Sequence, residues 1–130
     1  MATSLLVSIV DDDESVREAL PDLLRELGYS AQAYSSAEEF LASDYLGLTR
    51  CLILDLSMPG MSGPDLQREL ALRRQEIPIV FITAHGDQTI RQRLLEEGAA
   101  ECLFKPFSDI ALRHALDIAL RANGASALGG

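Results

Sequence analysis

The sequence predicts an α/β fold: a doubly wound parallel sheet of five strands with five helices packed on its two faces. Three observations carry that reading. Three short apolar runs, Leu5 to Val10, Cys51 to Asp55 and Ile77 to Thr83, are too short for helices and have the composition of buried strands, and two shorter segments, Ser30 to Tyr34 and Glu101 to Phe104, make five. They alternate with five segments whose apolar residues recur at helical spacing, the pattern of parallel strands joined by right-handed crossovers. Four of the runs stop abruptly on a polar or charged residue, which is where open α/β sheets place their ligand sites.

In chain order, Leu5 to Val10 is the first strand, apolar except for Ser8, and it runs into Asp11-Asp12-Asp13-Glu14. The acidic cluster opens a helix from about Glu14 to Leu27. It carries Val16, Leu20, Leu23, Leu24 and Leu27 inward and stops at Gly28. Pro21 lies inside this helix, removes a backbone donor and is expected to kink it. Ser30 to Tyr34 is a short second strand. Ser35-Ser36-Ala37-Glu38-Glu39 reads as a cap with an acidic first turn, and the spacing predicts a helix reaching about Leu46.

The third strand, Cys51 to Asp55, is followed by the Pro59-Gly60 turn and by a helix from Gly63 or Pro64 to near Arg74, with Leu66, Leu70 and Ala71 facing in. Ile77 to Thr83 is the fourth strand. After the loop Ala84-His85-Gly86-Asp87, the fourth helix, Gln88 to Glu97, has a thin apolar face of Ile90, Leu94 and Leu95. Glu101 to Phe104 is the fifth strand, stopped by Lys105-Pro106. Ser108 and Asp109 cap a last helix carrying Ile110, Ala111, Ala115, Ile118 and Ala119. Residues 1–122 form one domain, and 123–130 have the composition of a linker or a frayed end.

Composition narrows the function. A chain of 130 residues that is 48% hydrophobic is one domain's length with enough apolar material for a core. A net charge of -9 disfavours direct contact with nucleic acid or an anionic membrane, and points to a cation or a basic partner. No apolar run approaches membrane-spanning length and no leader pattern precedes the first strand, so a cytoplasmic location is expected. The two cysteines, Cys51 and Cys102, lie in apolar strands without metal or redox spacing and read as small buried hydrophobes.

The strand ends carry the chemistry. Asp11 and Asp12, Asp55, Thr83 and Lys105 close strands one, three, four and five, so a doubly wound sheet gathers three carboxylates, a hydroxyl and an ammonium on one edge. Three adjacent carboxylates cannot all stay ionised without a cation, and an oxygen-only ligand set selects a hard metal such as Mg2+. A carboxylate nucleophile beside that metal, with a lysine and a hydroxyl for the remaining oxygens, suits phosphoryl transfer to Asp55. Acyl transfer fits poorly, because His85 and His114 are isolated from any Ser or Cys nucleophile, and His114 reads as a surface residue. No nucleotide-binding glycine motif occurs.

Val10-Asp11-Asp12-Asp13, Asp55-Leu-Ser-Met-Pro-Gly-Met-Ser-Gly63, Ile82-Thr83-Ala84-His85-Gly86-Asp87 and Lys105-Pro106-Phe107 together resemble the four signatures of the response-regulator receiver domain. The His-Gly-Asp loop is most similar to that of FixJ-type regulators. The resemblance spans about Leu5 to Ala122 and implies a flavodoxin-like strand order of 2-1-3-4-5 in a two-component system.

It further implies that Asp55 is phosphorylated by the phosphohistidine of a sensor histidine kinase, and that Mg2+ is held by Asp12, Asp55 and the Ser57 carbonyl, with Asp11 acting through metal-bound water. Thr83, the Ala84 backbone N–H and Lys105 would hold the phosphoryl oxygens. Ser57 and His85, each two residues beyond a site residue, would modulate the rate at which water removes the phosphoryl group. The resemblance also implies a cis Lys105–Pro106 bond, and dimerisation on phosphorylation through the fourth helix and fifth strand. FixJ-type relatives carry a DNA-binding domain after the linker, so the chain is read as the receiver part of a transcriptional regulator, or else as a single-domain receiver. The chain then catalyses only its own phosphorylation and dephosphorylation.

One position departs from the family, which places an aromatic switch residue three positions before the lysine. Here that position is Cys102, and Phe104, next to the lysine, is expected to point to the opposite face. A thiol cannot fill a ring-sized space, so displacement of the fourth helix with the 84–87 loop is expected to carry the signal in place of the Thr83–Cys102 pair. Two other classes compete. A Mg2+-dependent phosphohydrolase would want a second Asp where Ser57 stands, and a flavodoxin-like cofactor module would want a glycine-rich loop where Asp11 to Glu14 stand.

Overall fold

The computed structural model describes residues 4–84 and 86–129, with side chains to Arg121. The strands β1 (Leu6–Val10), β2 (Ser30–Tyr34), β3 (Cys51–Asp55), β4 (Ile79–Thr83) and β5 (Glu101–Phe104) form one parallel sheet of order β2-β1-β3-β4-β5. The helices are α1 (Glu14–Glu26), α2 (Ala37–Leu41), α3 (Gly63–Leu72), α4 (Gln88–Glu96) and α5 (Asp109–Gly129). This is the flavodoxin-like arrangement the sequence predicts.

Every residue of β3 and β4 is buried, which explains their unbroken apolar runs. The sheet divides the core in two. On one face Val7, Ile9, Ile53, Val80 and Ile82 pack with Leu20 and Leu24 of α1 and Leu112 and Leu116 of α5. On the other, Leu52, Leu54 and Phe81 pack with Phe40, Leu66, Leu70 and Leu94 of α2, α3 and α4.

Caps fix where the helices begin. Asp13 accepts from the Ser15 N–H, Ser36 from Glu39 and Asp87 from Ile90, while Ser62 and Asp65 form a reciprocal capping box on α3. Each such cap contributes about 1 kcal/mol. Gly63 lets α3 start against the end of β3, since a Cβ there would stand 2.6 Å from the Asp55 carbonyl oxygen and 2.9 Å from the Phe81 ring.

Four expectations are corrected. The second helix ends at Leu41, not near Leu46: the Ser43 hydroxyl and N–H both donate to the Phe40 carbonyl, closing the helix, and a single 3-10 turn follows at Leu46–Leu48. Ile110 is 81% exposed and Ala71 is exposed, the inward faces of their helices being Leu112, Ala115, Leu116 and Ala119, and Leu66 and Leu70. The fourth strand begins at Ile79, after Pro78. The α5 backbone extends to Gly129. The α1 helix runs uninterrupted through a buried Pro21.

Candidate functional site

The carboxyl edge of the sheet forms an open cleft of about 290 Å³, lined by Asp11, Asp12, Asp13, Asp55, Ser57, Thr83, Ala84 and Lys105. Four strand ends and the loops that leave them deliver these groups. Asp11 follows β1, and its backbone N–H is held by the Tyr34 carbonyl at 3.1 Å. Asp55 and Thr83 are the last residues of β3 and β4. Lys105 follows β5 and is tied by its N–H to the Thr83 carbonyl at 2.8 Å. The Lys105–Pro106 bond is cis, as expected.

The electrostatics are those of a crowded anionic site around one cation. Asp11 is fully buried; its Oδ2 accepts from Lys105 Nζ at 3.0 Å and its Oδ1 from the Asp13 N–H at 2.9 Å. Asp55 is 7% exposed and receives a weak bond from the Ser57 N–H at 3.4 Å. Burial, and next the neighbouring charge of Asp11, push the Asp55 carboxyl up to about 7, against the opposing pull of Lys105.

One carboxylate oxygen from each of Asp11, Asp12 and Asp55 lies within 4.8 Å of the others. Three converging oxygens, one pair buried and mutually repelling and the third exposed, form a donor set that fits a hard divalent cation approaching from solvent. Arg17 adds a bond to the Asp11 carbonyl at 3.0 Å, a support that no sequence motif signals.

The predicted residues therefore come together, with two exceptions. His85 lies outside the described residues. Cys102 does not line the cleft: it is 3% exposed in the core and pairs in register with Phe81. Phe104 is the residue that sequence reasoning misplaced. Residues two apart on a strand share a face, so Phe104 and Cys102 both turn to the α4 side of the sheet, and Phe104 stands in register with Thr83. Both cysteines are free and buried, which pushes the Cys51 thiol up to about 12 and that of Cys102 up to about 11.

Residues 7–117 match the family described as the response regulator receiver domain. The chain is 44% identical over 115 residues to nodulation protein W of Bradyrhizobium diazoefficiens, a match covering 88% of this chain and 51% of that protein. It is 38% identical over 112 residues to the transcriptional regulatory protein FixJ of Azorhizobium caulinodans, covering 86% and 53%. The crystal structure of FixJ-N superposes with a TM-score of 0.80 at 36% identity, covering 93% of this chain and 96% of that one. The chain thus spans about half the length of the curated relatives it matches. Among the described residues no helix is long and apolar enough to cross a membrane.

Proposed function

This chain belongs to the response regulator receiver family, and from that membership we propose that it is a two-component signalling switch whose Asp55 accepts a phosphoryl group from the phosphohistidine of a sensor histidine kinase. The observation that supports this most directly is the placing of Asp55 in one cleft with a paired Asp11–Lys105, Thr83 and the exposed Asp12. An Asp55 carboxylate oxygen attacks phosphorus, the P–N bond breaks, and its electron pair stays on the imidazole of the kinase. Bound Mg2+ would offset the charge of the carboxylates and of the incoming oxygens. Asp12, Asp55 and the Ser57 carbonyl would hold it, with Asp11 acting through water.

Thr83, the Ala84 N–H and Lys105 would take the three equatorial oxygens. Lys105 is already held at the cleft by Asp11, so little ordering is left for it to lose. Ser57 and His85 would set access for the water that reverses the reaction. The receiver unit covers residues 1–122, acts in the cytoplasm, and passes its state on by dimerising through α4 and β5. Its relation to FixJ supports an output in transcription. Ser57 two residues after Asp55 leaves a phosphohydrolase without its acid.

Incubation with acetyl phosphate and Mg2+ tests the proposal. One phosphoryl mass on the wild type, located at Asp55 and lost in Asp55→Asn, is expected. Full labelling of Asp55→Asn, or multiple turnover of small phosphate esters, overturns it.

A further inference from the structure

Gly86, between β4 and α4, sits over two side chains that the family resemblance does not join. A Cβ on Gly86 would run into the Phe104 ring and stand 2.6 Å from Thr83 Cγ2, so this glycine lies close over both the ring and the methyl, with no room for one more carbon. Thr83 and Phe104 are register partners on adjacent parallel strands, and their side chains lie on the same face. On that face the half-buried Phe104 belongs to the apolar cluster that contains Ile90 and Leu94 of α4. At the other end of β5, Arg91 of α4 binds Glu101 Oε1 at 2.5 Å, and the same oxygen accepts the Cys102 N–H at 3.0 Å. The fourth helix is therefore fastened to β5 through polar groups at Glu101 and meets Phe104 through apolar packing.

We propose that Phe104 is the positioning residue that couples Thr83 to the α4–β5 face, acting from the register position of Thr83 rather than from position 102. The inference rests on the reading of Asp55 as phosphoacceptor. Turning the Thr83 hydroxyl towards a phosphoryl oxygen rotates its methyl about the same bond. The methyl and the ring both lie under Gly86 where one more carbon does not fit, so the rotation is met by movement of the ring, the loop or both. A close-packed contact of this kind has few arrangements, and a shift at one side is met by repacking at the other. Cys102, in register with Phe81, faces the interior of the same cluster and leaves this space to Phe104.

The test is methyl and amide NMR of the full chain with Mg2+ alone and then with Mg2+ and beryllofluoride, a phosphoryl mimic. In the wild type, the Thr83 methyl and the amides of residues 88–96 shift together. In Phe104→Leu the Thr83 methyl still shifts, while the α4 shifts fall below half their wild-type size, and Phe104→Tyr restores them. Phe104→Met, a flexible unbranched apolar side chain without the flat ring, behaves like Phe104→Leu and decides the matter if the latter fails to fold. Full-sized α4 shifts in the Leu or Met variant overturn the coupling role. A wild type whose Thr83 methyl ignores beryllofluoride overturns the phosphoacceptor reading, and this inference falls with it.

Discussion

Asp55 has a folded-state carboxyl pKa of about 7 against an ordinary 3.8, and this sets a pH dependence of definite sign. The folded chain holds that proton more tightly than the unfolded chain does. Asp55 therefore costs nothing below about pH 4, and its cost grows as pH rises through the interval up to 7 and is complete above it. Metal-free Asp55→Asn is expected to be more stable than the wild type at pH 8, by on the order of 2 kcal/mol, an advantage that vanishes at pH 4. Urea unfolding at the two pH values measures it, and Mg2+ should narrow the difference at pH 8. A gain of equal size at both would mean that the carboxylate is not the source of the cost. Ser57 is exposed at the lip of the cleft, so Ser57→Ala should leave stability unchanged while altering the dephosphorylation rate severalfold. The decay of the aspartyl phosphate, followed by mass, checks that. The site residues were legible because each ends an apolar run, a position visible without coordinates. Arg17, which braces the Asp11 carbonyl from α1, was not, because nothing in its spacing marks it off from any exposed helical arginine.

At the scale of elements, helix ends and strand faces make the predictions. After α3, Arg74 takes a φ of 58°, a left-handed conformation that Gly28 and Gly98 adopt after α1 and α4. Arg74→Gly should therefore stabilise the chain by about 1 kcal/mol, read as a higher urea midpoint with an unchanged slope. Gly63 shows the reverse: Gly63→Ala places a Cβ against the Asp55 carbonyl and should destabilise by about 1–3 kcal/mol. On β5, Cys102 is 3% exposed, and Cys102→Phe must force a ring into a filled core. It should lose about 1–3 kcal/mol and add nothing to the activation-dependent gain in dimer affinity, measured by sedimentation with and without beryllofluoride. A stronger gain at no cost in stability would show that the space at 102 was waiting for an aromatic residue. Strand positions were readable from apolar runs, and β5 was placed to the residue. The length of α2 was not readable, because a serine hydroxyl turned back onto Phe40 ends it where the sequence has neither glycine nor proline. The outward turn of Ile110 escaped as well, since one apolar residue at a helix start does not fix the phase of the helix.

For the whole molecule, the strand order explains why so much of the site followed from sequence. A parallel sheet wound in both directions puts all its carboxyl ends on one edge, so finding the strands was enough to gather the residues. What the topology left open was local, namely which way Phe104 turns and how closely Gly86 covers it. The ion pair between Lys105 and Asp11 joins residues 94 apart in sequence, from opposite ends of the chain. It gives the cleft a built-in check on completeness. On the phosphoacceptor reading, a chain still emerging from the ribosome, or one whose last strand has come away, has Asp55 and Asp12 but no lysine beside them, and should be a poorer phosphoryl acceptor. Titrated with urea, the capacity for labelling by acetyl phosphate should disappear along the same curve as the far-ultraviolet helical signal. Labelling that outlasts the fold would show that Asp55 needs less of the molecule than its neighbours suggest.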